Sequence, residues 1–227
     1  MPRYIENLRK FIRLRFWWFF SKPCTDPSVH NIVVRVAERI GVKPFKYVKV
    51  AEAPFYNAVV AGFLCRSLIV TKPLLQASPD IIEAVILHEY AHCKLRHQLK
   101  LLSAALALQM LALVLSIVIV YTNNLHVFYA IVFYFIAYPA IQVILKYIAR
   151  KFEIEADIFA VTYSSNKCSY IRLLCFLNQY NPHEHRLLSL LFGSHPSIET
   201  RVKNILIHYP EESQCIEGSY CGGPGGI

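Results

Sequence analysis

His88-Glu89-Tyr90-Ala91-His92 sets two imidazoles four residues apart with a carboxylate between them. On a helix this spacing puts both rings on one face, where both can reach a single Zn²⁺ at about 2.1 Å. Ser78-Pro79-Asp80 supplies an N-cap, a first-turn proline and an acidic partner for the helix dipole, and predicts a helix through Ile81 to at least Arg96. The motif thus lies where its spacing has physical meaning. Two histidines leave a catalytic zinc site incomplete, because such a site takes a third protein ligand and keeps its fourth position for water. Lys151-Phe152-Glu153-Ile154-Glu155-Ala156-Asp157 offers one: at helical spacing Glu153 and Asp157 share a face and Glu155 points elsewhere. The bland alternative is that Glu153 and Asp157 pair with Lys151 or Arg150 on a solvated face.

These two segments are separated by an unusual stretch. In a chain of 227 residues, 55% hydrophobic and 17% charged, which excludes a disordered or collagen-like protein, the apolar excess is concentrated. Leu101 to Tyr121 and Leu125 to Leu145 contain no Lys, Arg, Asp or Glu, and each is long enough to cross a hydrocarbon layer of roughly 30 Å as a helix. Thr122-Asn123-Asn124 between them is too short for anything but an antiparallel hairpin. Lys94, Arg96 and Lys100 precede it and Lys146, Arg150 and Lys151 follow, which by the positive-inside rule places both flanks in the cytoplasm. Two buried helices of a soluble bundle are the alternative, but helices without a polar face need a large protein to cover them. From His92 to the turn is about 30 residues and from the turn to Glu153 about 29, each near 45 Å as helix. Equal arms return Glu153 to the depth of His92.

The net charge of +9 suits either nucleic acid or an anionic membrane face, and the apolar stretches favour the membrane, with no nucleic acid expected as partner. Residues 1–27 read as an aromatic-basic arm: Arg9 to Phe20 mixes Arg and Lys with Phe and Trp, has too short an apolar core for a signal peptide or span, and fits a segment lying in the headgroup region. Residues 28–100 and 149–210 form the two halves of one domain, 101–148 the hairpin, and 211–227 a flexible tail. Ser28 to Ile40, stopping at Gly41, predicts an amphipathic helix. Tyr47 to Ala51, Asn57 to Val60 and Ser67 to Thr71 predict a small antiparallel sheet, and the last run could pair with an extended substrate. Seven cysteines without a C-x-x-C pair read as reduced thiols, with Cys168 and Cys175 on one buried helix face. His97 is expected to complement the dipole at the basic end of its helix, and His183 and His185 to flank a solvated turn.

The order of Asn57-Ala58, H-E-x-x-H, two spans, Glu-x-x-Ala-Asp and Ser194-His195-Pro196 followed by Arg201 resembles the HtpX-like and CaaX-prenyl-endopeptidase family of membrane zinc metallopeptidases over about residues 30 to 208. The resemblance implies an α+β, mostly helical zincin-like (gluzincin) domain with a small antiparallel sheet, interrupted by a transmembrane hairpin. It implies one Zn²⁺ per chain held by His88, His92 and Glu153, Glu89 as general base, and Asn57 and His195 lining the substrate cleft, with His195 able to donate to the oxyanion. Asp157 reads either as a carboxylate that orients a histidine ligand or as half of a structural salt bridge. A polypeptide substrate, either damaged membrane proteins or prenylated peptides, and a multi-pass location in the cell membrane with the catalytic domain on the cytoplasmic side follow. The competing reading is a non-catalytic scaffold or adaptor with a structural or vestigial metal, though structural zinc prefers four closed ligands and no Cys lies at ligand spacing from His88. The family's usual extra pair of spans before the catalytic domain has no counterpart here, and oligomeric state is not legible.

Overall fold

The computed structural model describes residues 17–62, 64–123, 126–180 and 196–217. The chain divides into two compact units, one of Met1–Leu95, Glu155–His183 and Ser197–Ile227, the other of Arg96–Ile154 and Glu184–Pro196.

In the first unit, a 3₁₀ turn at Trp17–Phe20 leads into strand β1 (Lys22–Pro23). Helix α1 (Pro27–Ile40) is capped by Asp26, whose side chain accepts from the Ser28 N–H, and ends at Gly41 in the left-handed conformation, φ 66°. Strands β2 (Tyr47–Ala51), β3 (Ala58–Ala61) and β4 (Ser67–Thr71) join β1 in the order β1-β2-β4-β3. The sheet is mixed and not purely antiparallel as expected: β2 and β4 run parallel, while β1·β2 and β3·β4 are antiparallel. The β3–β4 hairpin puts β4 in the middle, the slot that suits its Leu68-Ile69-Val70, buried on both faces. Both edges of β4 are therefore used, so it cannot receive a substrate strand as the sequence suggested; the sheet ends at β3 on that side. The end of the expected N-terminal arm also belongs to this sheet, through β1.

Helix α2 (Pro79–Lys94) is packed by α1, β3 and helix α5 (Lys167–Tyr180), so that Ile82 to Leu87 are all buried. The Ser78 carbonyl, not its side chain, receives the first-turn amides of Ile81 and Ile82, at 3.0 and 3.1 Å. Helix α6 (Ile198–His208) completes the layer, capped by the Ser197 hydroxyl on the Thr200 N–H, with Arg201, Val202 and Ile205 on its buried face.

In the second unit, α2 does not continue into the apolar helix as the sequence suggested. Leu95 and Arg96, the latter at φ 56°, break the rod, and helix α3 (His97–Thr122) starts afresh. His97 is 3% exposed and stacks on Phe152 with ring centroids 4.5 Å apart. Helix α4 (Phe128–Tyr163) runs unbroken from the second apolar stretch into the acidic segment, which is its continuation and not a separate helix. Both α3 and α4 are long and apolar enough to cross a membrane, and only 11% and 6% of their most apolar windows are buried. Leu106, Met110, Val114, Ile131, Phe135 and Val143 are among the exposed side chains, which is the reverse of helices cored inside a soluble bundle. The Tyr134 hydroxyl donates to Gln109 Oε1 at 2.6 Å, a polar tie between α4 and α3.

The expectation of reduced thiols is overturned. Cys65 and Cys93 are joined, with Cα atoms 5.8 Å apart, and so are Cys168 and Cys215, at 5.4 Å. The hairpin turn carries Cys65 to the C-terminal end of α2, a long-range approach that spacing along the chain does not encode. Cys175 is buried on α5 as expected, and Cys24 is a buried thiol.

Candidate metal centre

The core of α2 fixes what its motif presents. Tyr90 points inward, stacked on Phe45 at 4.0 Å, and its hydroxyl accepts the Phe45 N–H at 3.1 Å; burial pushes this phenol up to about 12. With Tyr90, Ala91 and Leu87 buried, the opposite side of the helix carries His88, Glu89 and His92, which are only partly buried.

The two histidines meet edge on. Their ring centroids are 4.8 Å apart at 79°, and His88 Nε2 lies 3.1 Å from His92 Nε2. Glu153 is buried on α4, one turn before Asp157. Nitrogens held about 2.05 Å from a tetrahedral ion stand about 3.3 Å apart, so this pair fits one zinc-sized cation, and His₂Glu is a donor set of catalytic zinc. Another group of potential ligands among the described residues, Cys168, Glu212 and Cys215, has its two sulfurs joined to each other and no thiolate pair to offer.

Glu89 is not among the converging donors. Its Oε2 accepts the Val60 N–H of β3 at 2.9 Å, which ties the carboxylate to the edge of the sheet. Asn57 is exposed and stands at the start of β3. Its carbonyl accepts from the Thr71 N–H and hydroxyl, and its Oδ1 accepts the Ala58 N–H at 2.9 Å. No contact to the histidines is seen for it. His195, with Ser194, His183 and His185, lies outside the described residues.

Asp157 is held on two sides. Arg201 grips it with two parallel bonds, Nε to Oδ2 at 2.7 Å and Nη2 to Oδ1 at 2.5 Å, while Oδ1 also lies 3.1 Å from His88 Nδ1. Tyr170 completes the group, its hydroxyl 2.6 Å from Asp157 Oδ1 and 2.8 Å from His88 Nδ1. Asp157 lies past the apolar part of α4, in the first unit. Burial alone would raise its carboxyl, but the charge and hydrogen bonds of Arg201, with His88 adding to them, outweigh burial and hold it at about 2. Sequence reasoning had Arg201 only as a motif position and missed Tyr170 and the Val60 amide. An arginine among Val202 and Ile205 on a buried helix face signals a buried acidic partner; a single tyrosine on α5 carries no comparable mark.

A central layer of sheet and packed helices presenting H-E-x-x-H beside an acidic helix defines the class. The model of peptidase family M48 matches residues 23–207, and the chain belongs to that family, whose members are metallopeptidases. Among solved structures, the crystal structure of S. mikatae Ste24p shares the fold with a TM-score of 0.63 at 21% identity, over 90% of this chain and 56% of that one. The chain thus spans little more than half the length of that relative. No curated protein matches it.

Proposed function

We propose that the protein is a membrane-bound zinc-dependent endopeptidase that hydrolyses peptide bonds of membrane or damaged proteins. The observation that carries this reading is the pairing of His88 and His92, Nε2 atoms 3.1 Å apart, with the Glu89 carboxylate on the same helix beside them. His88, His92 and Glu153 would hold one zinc ion. When bound, zinc supplies Lewis acidity, which lowers the pKa of a water and polarises a carbonyl. Glu89 takes the proton of the attacking water and returns it to the leaving amine. To do so it exchanges its hydrogen bond with Val60 for one with the water. The edge strand β3, and not β4, receives an extended substrate by strand addition, with Asn57 at its start and His195 lining the cleft and donating to the oxyanion.

The test is purification in detergent, metal quantification, and cleavage of casein or a membrane protein by wild type and Glu89→Gln. A variant that keeps its metal and loses cleavage supports the enzyme. Equal cleavage by both discards Glu89 as the base and, with it, this reading.

The basic residues flanking the apolar helices support a catalytic domain on the cytoplasmic side. The disulfides Cys65–Cys93 and Cys168–Cys215 favour an oxidising compartment instead. Maleimide labelling of these cysteines in intact cells separates the two. Labelling without reductant places them in a reducing cytosol; labelling only after reductant places them outside it.

A further inference from the structure

Tyr170 belongs to no motif, yet it is fully buried with its hydroxyl between His88 and the Asp157 carboxylate. A phenol has one proton to donate and two lone pairs to accept with. The proton is committed: both Asp157 oxygens face the Arg201 fork as acceptors, and Oδ1 takes the Tyr170 O–H at 2.6 Å. Arg201 Nη2 donates to the same phenol oxygen from 3.4 Å. What Tyr170 offers His88 at 2.8 Å is therefore a lone pair, and the second group facing that ring edge, Asp157 Oδ1 at 3.1 Å, is also an acceptor.

Resting on the metal reading above, we propose that Tyr170 is a positioning residue for His88: its hydroxyl, spent as a donor on Asp157, holds the ring with Nδ1 protonated and the Nε2 lone pair aimed at the metal. A neutral imidazole carries one N–H, so fixing it at Nδ1 leaves Nε2 bare, and Nε2 is the atom 3.1 Å from His92 Nε2. Tyr170 is the nearer of the two acceptors. Arg201 acts one step further back, keeping Asp157 an acceptor and so keeping the phenol proton turned away from His88.

The test uses the full chain in detergent. Zinc affinity is measured by chelator competition for wild type and Tyr170→Phe, and nitrogen NMR of histidine-labelled, zinc-free protein reads the tautomer of His88. Because Asp157 Oδ1 remains within reach, Tyr170→Phe is expected to weaken zinc binding by about tenfold, the low end for loss of a partner that orients a metal ligand. In the NMR measurement, wild-type His88 is expected as the Nδ1–H form, and the variant as a mixture. Unchanged zinc affinity in a folded variant overturns the assignment, since the phenyl ring preserves the packing. Should the variant fail to fold, the wild-type spectrum decides alone: an Nε2–H ring refutes the role of Tyr170. A wild-type protein that takes up no zinc refutes the metal reading instead, and the tautomer measurement still stands by itself.

Discussion

Arg201→Met removes the charge that lets Asp157 lie in the domain interior. Asp157 is 1% exposed and Arg201 8%, so neither can turn to water when the other is lost. The substitution deletes both arms of the bidentate pair, at 2.7 and 2.5 Å, and leaves a buried carboxylate with Tyr170 and His88. Removing one member of a buried pair costs about 3–5 kcal/mol, a large share of the roughly 5–15 kcal/mol that holds a domain together. At about 4 kcal/mol the unfolding constant rises nearly a thousandfold, and with a urea slope of about 2 kcal/mol/M the midpoint falls by about 2 M. The buried Tyr90 and Tyr170 make near-ultraviolet circular dichroism the natural probe, because the packing around them is what is lost. Asp157→Asn and the double variant complete a cycle, whose coupling energy is expected at about 2–3 kcal/mol because the double variant leaves no unpaired charge. Arg201→Lys should fall between, keeping the charge without the fork. A loss below about 1 kcal/mol for Arg201→Met, or a coupling within about 0.5 kcal/mol of zero, would refute the pairing.

Cys65→Ser opens a loop closed across a sequence separation of 28, and the chain-entropy relation gives about 3.5 kcal/mol for it. Reductant should lower the stability of the wild type by at least most of that amount and that of the variant by less, since only Cys168–Cys215 is left in it to cut; a wild type indifferent to reductant contradicts the pairing. Burial pushes the Glu83 carboxyl up, but hydrogen bonds from Arg39 and Ser165 and the charges of Arg39 and Arg35 outweigh it and hold the group below its ordinary range. Its stabilisation is therefore present above the ordinary carboxylate value and lost as pH falls through the lowered one. Glu83→Gln should be less stable than wild type at neutral pH and approach it in acid, and a pH-independent gap argues against the charge. Glu153→Ala should weaken zinc by more than the about 10–100-fold typical of an outer partner, read by chelator competition, and unchanged stoichiometry removes it from the ligand set.

What the sequence made legible was local. H-E-x-x-H, the Glu153/Asp157 face and the Gly41 stop depend on helical spacing within a few residues, and the helices carry them. The length and polarity of the two apolar helices are equally local. The sheet order is not, because the choice of β4 for the centre depends on pairing partners some 20 residues away along the chain. Nor was the break after Lys94 visible: Leu95-Arg96 contains no Gly or Pro, and Arg96 takes a left-handed conformation that few non-glycine residues adopt. The stacking of His97 on Phe152 and the approach of Cys65 to Cys93 are likewise tertiary facts without a local mark. The two readings of Asp157 do not exclude each other on chemical grounds, since one carboxylate has lone pairs enough for an arginine, a phenol and a ring N–H.

The charge balance explains why a carboxylate can sit against a metal ligand at all. A lone Asp157 beside His88 would favour the doubly protonated, cationic ring, which has no lone pair for a metal. Arg201 cancels that charge within the pair, and Tyr170 stands nearer to Nδ1 than the carboxylate does, at 2.8 against 3.1 Å. His88 then meets a neutral set of acceptors on its inner edge. The four groups of the inner set, His88, Asp157, Tyr170 and Arg201, come from four different helices, α2, α4, α5 and α6. Their geometry exists only once those helices have packed, so binding at His88 draws on the folding free energy of the domain and returns to it as stabilisation.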